Sequence, residues 1–364
     1  MSVRGKLVRI ALSNASKLAL QRISLATNSV LSKPRGIFIR ITHNCNLRCM
    51  QCNVPLLYNL SNELSTEQWK KIFRQLRKWL GTAMLRLGGG EPFTRKDMIE
   101  LLKYSTELGM FNSVVTNGQL IDRELAEKIV EAGTFCLSIS IDGMQKGHDF
   151  VRGEGTYAKA ANTAHLLNKV RHDSKSDMRI KVNVTIMETN LDEIIDLVDW
   201  VETEGLDGIS ISALMETFGT ANPDPMWFKK SPLWVRNLAK LDRVIDDLIK
   251  RSGPKSAVIN PPTYLRGIME YYRDPTAPKP AGFTCYVGHE DFRIGPYGHV
   301  YLCPFITSPL VGNLIESTPE QIWKSQKAAV SRKKIATCRK NCSNPCLYKR
   351  SLRENFELFL QLFK

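Results

Sequence analysis

The chain has 364 residues, 43% of them hydrophobic and 24% charged, which supplies cores for two or three domains and excludes a disordered chain. Its net charge of +15 is unevenly spread: residues 1–62 hold nine Lys or Arg and no acid, residues 324–364 hold eleven basic residues against Glu354 and Glu357, and each end therefore carries +9 while the middle carries −3. Apolar runs are too short for a membrane-spanning helix, and Lys6, Arg9, Lys17 and Arg22 break up any signal-peptide core.

In chain order, residues 5–31 read as a basic amphipathic helix, with Val8, Leu12, Ala15, Ala19, Ile23, Ala26 and Val30 on one face and Pro34 and Gly36 ending it. A strand over 36–41 leads into a cysteine loop. Ser65 and Gln68 form a capping-box start for a helix to Leu80. Strand 84–87 is followed by Gly88-Gly89-Gly90-Glu91-Pro92 and a helix to Gly109. Strand 113–116, helix 123–132, strand 135–141, helix 157–171, strand 180–187, helix 191–204 and strand 208–214 complete six βα repeats. Such alternation predicts a parallel sheet, and six repeats predict an α/β fold of incomplete (β/α)6 TIM-like barrel form. Residues 215–233 read as a loop, 234–251 as a helix, 252–284 as irregular and Pro-rich, and the last 80 residues as a small cysteine-rich domain folded around metal and ending in a Phe-bearing helix from Ser351. The expected division is 1–35, 36–215, 216–280, 281–350 and 351–364.

Nine cysteines without an export signal indicate a reducing compartment, where clustered thiols mean metal or redox chemistry. Cys45-x3-Cys49-x2-Cys52 directly after the first strand can hold three corners of an iron–sulfur cube and leave one iron open. A zinc knuckle with His43 as fourth ligand is the alternative. Cys136 reads as core.

With Gly89-Gly90-Glu91-Pro92 after the second strand, this loop resembles the radical S-adenosylmethionine (SAM) superfamily over residues 36–215. The resemblance implies a [4Fe–4S] cluster on Cys45, Cys49 and Cys52 whose open iron binds SAM for reductive cleavage to a 5′-deoxyadenosyl radical. The SAM pocket it implies comprises Gly89, Gly90, Glu91, Pro92, Thr116, Asn117, Ser138, Ser140, Asp142, Arg152 and Asn183. Glu91 would accept the SAM ammonium, Ser138 and Ser140 the ribose hydroxyls, and the Arg152 fork the carboxylate. Each also has a plainer reading: a helix-start carboxylate, barrel polar residues, an exposed salt bridge. Gln51 departs from the family's often aromatic position beside the adenine.

Cys285 and Cys303, with Gly298 between them, resemble the start of a SPASM or twitch domain, and Cys338, Cys342 and Cys346 would complete it. Four of these five fit one auxiliary cluster; a zinc staple is the alternative. The expected substrate is a small or lipid-linked, anionic molecule, because only 44 residues precede Cys45 and leave no room for a peptide-recognition domain; a peptide- or protein-modifying enzyme is the alternative. Trp227, Phe228, Lys229 and Lys230 could line its pocket. An electron donor such as flavodoxin or ferredoxin is the expected partner, in the cytoplasm, with the basic ends able to rest on the inner membrane surface. No aromatic-and-basic interleaving supports nucleic-acid binding. A zinc-stapled binder of anionic polymers and a non-catalytic electron carrier are the competing classes, neither with a use for Gly-Gly-Glu-Pro.

Overall fold

The structure, a computed structural model, describes residues 5, 20, 23, 24, 29–54, 62–216, 224, 226–253, 256–279, 284–305 and 310–342. Most of the basic helix expected over 5–31, the C-terminal helix from Ser351, and Cys346 lie outside these residues.

Strands β1 (Gly36–Thr42), β2 (Met84–Gly89), β3 (Phe111–Thr116), β4 (Cys136–Ser140), β5 (Arg179–Ile186) and β6 (Ile209–Ala213) pair in sequence order, each parallel to the next. Helices α1 (Thr66–Leu80), α2 (Met98–Glu107), α3 (Arg123–Glu131), α4 (Gln145–Arg152), α5 (Thr156–Asp173) and α6 (Ile194–Thr203) cross between them. Parallel pairing forces these crossovers, and residues that alternate into the sheet core make the strands apolar. Ile37, Ile39 and Ile41 of β1, for example, are all buried. The α1 capping box forms as the sequence predicts, with Ser65 Oγ accepting from Gln68 N. This is the incomplete (β/α)6 barrel.

After β6 come the short α7 (Trp227–Lys230), α8 (Leu238–Arg251) and α9 (Pro262–Arg273). The last lies in the stretch read as irregular. Pro262 starts that helix rather than breaking it, because a first-turn N–H has no helical partner to lose. Tyr272 of α9 then fastens the sheet: its hydroxyl accepts from Leu214 N at 2.7 Å and donates to Ile186 O. Trp227 and Phe228 pack against Trp234 at ring-centroid separations of 5.4 and 5.1 Å, while Lys229 and Lys230 are exposed.

The C-terminal region does not stand apart from the barrel sheet. Following α10 (Val287–Glu290), β7 (Asp291–Ile294) pairs parallel with β1, and β8 (His299–Tyr301) and β9 (Gly312–Asn313) continue antiparallel. Among the described residues the sheet order is β6-β5-β4-β3-β2-β1-β7-β8-β9. Helices α11 (Pro319–Lys324) and α12 (Gln326–Ala336) cover this extension. Trp79 of α1 meets Phe292 and Trp323 edge-on or tilted at 5.6 and 6.1 Å, and Trp323 Nε1 donates to Ser32 O, which locks the two halves. Among the described residues no helix is long and apolar enough to cross a membrane.

Candidate active site at the strand ends

The carboxyl ends of β1 to β4 each deliver a sequence motif to the same end of the sheet, where barrels build their sites. The cysteine loop leaves β1 after an irregularity in register between Arg40 and Thr42. Its return is fixed by Cys52 N donating to Cys49 O at 3.0 Å and by Met50 N donating to Val151 O of α4 at 2.9 Å. Cys45, Cys49 and Cys52 are half-buried, and charge on a neighbouring sulfur disfavours ionisation of Cys45 and of Cys49. Burial pushes the Cys49 thiol up to about 11, with the Arg152 charge pulling the other way; burial also raises Cys45. Crowded thiols of this kind become thiolates when a metal centre displaces their protons, so the donor set suits a cluster. Among the described residues no three His, Cys, Asp or Glu side chains stand together as a single metal ion would require, which holds for the cysteine trio and for the His43 knuckle alike.

Gly89 and Gly90 serve the loop's own backbone. A Cβ on Gly89, whose φ is +129°, would sit 2.2 Å from Thr42 O, and one on Gly90 would sit 2.0 Å from Asn44 O. Gly90 N and Glu91 N donate to those same two carbonyls at 2.9 and 2.7 Å. The glycines therefore let the β2 end lie directly against the cysteine loop.

Glu91 is fully buried. Its Oε1 accepts from Thr116 Oγ1 at 2.8 Å and Phe93 N at 3.2 Å, and its Oε2 accepts from Asn117 N at 2.7 Å. Burial raises its pKa while these three donors hold the charged form. A carboxylate offers about four acceptor positions, so one is left for a further donor such as an ammonium. Pro92 is also buried and opens the short helical turn Pro92–Thr94.

Asp142 is committed inside the protein. Its Oδ2 takes Arg152 Nε at 2.7 Å and Gln51 Nε2 at 2.8 Å, and its Oδ1 takes Thr185 N at 2.8 Å. Gln51, where the family pattern is often aromatic, is thus tethered to the β4 end. Ser138 and Ser140 share a face of β4, and Ser140 stands level with Asn183 on β5. Among the described residues none of these three side chains makes a hydrogen bond within the protein, so their polar groups are free to meet a ligand.

Several supporting residues carry no sequence signal. Asn190 Nδ2 bonds Asp142 O and Thr185 O at 2.7 and 2.8 Å, Asn46 Oδ1 accepts from Asn117 Nδ2 at 2.8 Å, and both Glu193 oxygens accept from Gly147 N. Glu63 Oε1 receives His43 N at 2.6 Å.

At the other cysteine site, Cys285, Cys303, Cys338 and Cys342 lie within mutual electrostatic reach. Burial pushes Cys285 and Cys342 up to about 12 each, and the Lys279 charge partly offsets this at Cys342. Four thiols thus gather without Cys346. Cys136 is buried with Phe111 and Phe135, as core.

Comparison with known proteins agrees with this geometry. The sequence model of the radical SAM superfamily matches residues 39–201, and that of the SPASM iron–sulfur cluster-binding domain matches 285–346, together more than half of the chain. The PqqA peptide cyclase of Bradyrhizobium diazoefficiens is 26% identical over 314 residues, spanning 83% of this chain and 76% of its own. The AdoMet-dependent heme synthase of Methanosarcina barkeri is 27% identical over 319 residues, spanning 84% and 86%. Among solved structures, Streptococcus suis SuiB bound to S-adenosylmethionine superposes with a TM-score of 0.66 at 19% identity, covering 86% of this chain and 70% of that one. The enzyme anSMEcpe with bound AdoMet gives 0.59, also at 19% identity, covering 91% and 98%; at such identities these two show the fold.

Proposed function

Because the chain belongs to the radical SAM superfamily and carries a SPASM domain after its barrel, with [4Fe–4S] clusters and SAM as cofactors, we propose that it is a peptide-modifying radical enzyme. The observation that carries this reading is the similarity to a PqqA peptide cyclase over 314 residues, 83% of this chain. It favours the peptide alternative over the expected small or lipid-linked substrate. That expectation leaned on the length of chain before Cys45, which has no bearing on what reaches the strand ends.

When bound by Cys45, Cys49 and Cys52, the cluster supplies an electron for SAM cleavage and so a hydrogen-abstracting radical. The protein's own residues do the holding. Glu91 presents a fixed carboxylate whose remaining acceptor position suits the SAM ammonium. Ser138, Ser140 and Asn183 offer unpaired polar groups to the ribose. Asp142 keeps Arg152 and Gln51 in place at the loop. Cys285, Cys303, Cys338 and Cys342 would hold one auxiliary cluster, and an acidic reductant of the flavodoxin or ferredoxin kind would supply electrons.

A second reading, a tetrapyrrole substrate, draws on the heme synthase relative, whose match spans 86% of that protein. One experiment separates the two. The anaerobically reconstituted enzyme is given dithionite and SAM, and 5′-deoxyadenosine release is compared with a precursor-peptide library and with iron coproporphyrin. Stimulation by peptides, with a mass loss of paired hydrogens in one of them, is expected. Stimulation by the porphyrin alone, with a shifted Soret band, would replace the peptide reading.

A further inference from the structure

Two side chains near the cysteine loop point N–H groups at its sulfurs. Arg152 Nη1 lies 3.9 Å from Cys49 Sγ, and Asn117 Nδ2 lies 3.9 Å from Cys45 Sγ, at the long end of N–H···S contact. Cys45 Sγ also accepts Leu47 N at 3.5 Å. Among the described residues no donor reaches Cys52 Sγ, so the loop is served unevenly.

Neither donor is placed by chance contact of a mobile side chain. Arg152 is fixed by its ion pair with Asp142, whose own carboxylate is held by Thr185 N and Gln51 Nε2. Only 12% of the Arg152 side chain and 1% of the Asp142 side chain are exposed. Asn117 is fixed by its backbone N–H on Glu91 Oε2, by its Oδ1 accepting Gln119 N at 3.0 Å, and by its second contact to Asn46 Oδ1. Two buried carboxylates, on the loops after β2 and β4, thus stand behind two donors aimed at two different thiols.

We propose that Arg152 and Asn117 are positioning residues that raise the reduction potential of the cluster held by Cys45, Cys49 and Cys52, each by donating an N–H to one of its thiolate sulfurs. This rests on the reading of that loop as the cluster site. A reduced cluster carries one more negative charge than an oxidised one, and donors at its sulfurs stabilise that charge. The burial of the Arg152–Asp142 pair leaves little water to screen the guanidinium charge. Arg152 acts more strongly than Asn117, because the positive end of the Asp142–Arg152 pair faces the sulfur.

The test is an EPR-monitored redox titration of the reconstituted full-length enzyme, reading the signal that changes when SAM is added. Arg152→Lys keeps a cation for Asp142 but loses the fork that reaches Cys49. Asn117→Ala keeps the backbone bond to Glu91. Arg152→Met is expected to make reduction about tenfold less favourable, about 59 mV for one electron, with Arg152→Lys intermediate and Asn117→Ala smallest at about threefold. Iron content stays at the wild-type level. If Arg152→Met strands Asp142 and loses iron, the other two variants decide. Any variant that holds full iron and titrates at the wild-type midpoint overturns the assignment for that residue. A wild-type enzyme with no SAM-responsive signal would instead sink the cluster reading itself.

Discussion

The two cysteine sites gather thiols in opposite ways. Cys45, Cys49 and Cys52 ride on a loop braced by strand ends, glycine contacts and buried carboxylates, and they remain half-buried. Cys285 and Cys303 are only 8% exposed each, and they approach Cys338 and Cys342 from segments between α9 and α12 that join the sheet through the short β7–β9 extension. The backbone of the first loop is braced by the fold itself; the second site brings two buried and two half-buried thiols near one another from segments without such bracing, and a metal would draw them together. A three-thiol set that leaves one metal position open suits chemistry, and a four-thiol set suits structure or electron storage.

The largest expected effect falls on the open site. Replacing Cys45, Cys49 and Cys52 together with Ala should abolish dithionite-driven release of 5′-deoxyadenosine; retained release by the reconstituted triple variant would remove the basis for the contrast. Changing Cys285 or Cys342 should remove about half of the iron yet leave SAM cleavage measurable, with product formation on the substrate lost. Cys346→Ser should keep full iron, since four other thiols already lie within electrostatic reach of one another. Iron counts below wild type in that variant would show the ligand set to be different.

Stripping the iron sharpens the same contrast. After chelation, limited proteolysis should cut near Cys285 and Cys338–Cys342 first, while α1 to α6 and their strands stay protected. Cleavage within the β1–β2 loops at an equal rate would mean that the open site is no better braced than the four-thiol one. Gly90→Ala tests its bracing directly. A Cβ 2.0 Å from Asn44 O forces the loops apart, so a loss of about 2–4 kcal/mol and of iron at the open site is expected in denaturant titrations. Glu91→Gln is milder, about 1–3 kcal/mol, because an amide group then faces donors that a carboxylate accepted.

Much of the open site is legible in the sequence because its parts are local: a cysteine spacing, a Gly-Gly-Glu-Pro run, an Asn-Gly at a strand end. The barrel is legible for the same reason, since βα alternation repeats over short stretches. What escapes is non-local. That Asp142 spends its carboxylate on Arg152, Gln51 and Thr185 depends on four segments meeting, and nothing in any one of them announces it. Asn190 holds the Asp142 carbonyl and Glu193 holds the start of α4 from 48 and 46 residues away, and both look like ordinary polar residues. Helix α9 was hidden by Pro261-Pro262, which reads as loop unless Tyr264, Leu265, Ile268, Tyr271 and Tyr272 are seen to share one buried face. The joining of β7 to β1 could not be read at all, because a four-residue strand without a preceding helical repeat carries too little pattern.

The smallest predicted effect concerns pH and the brace behind Arg152. His148 is fully buried, and its Nδ1 accepts from Asp142 N at 3.1 Å, which requires a neutral ring. Burial first, and then the Arg152 charge, hold its pKa down at about 4 against 6.5 when unfolded. The unfolded chain therefore takes up the proton first as pH falls, so this contribution is intact above about 6.5 and declines toward about 4, by about 1 kcal/mol at pH 5.5. Burial holds His43 and His289 near the same value, so three residues share the acid slope. Asn in place of His148 can still accept from Asp142 N but cannot titrate. Denaturation midpoints at pH 7.5, 6.5 and 5.5 should therefore fall about one-third less steeply in His148→Asn than in the wild type. Equal slopes would mean that the Asp142–Arg152 brace does not depend on a neutral ring at position 148.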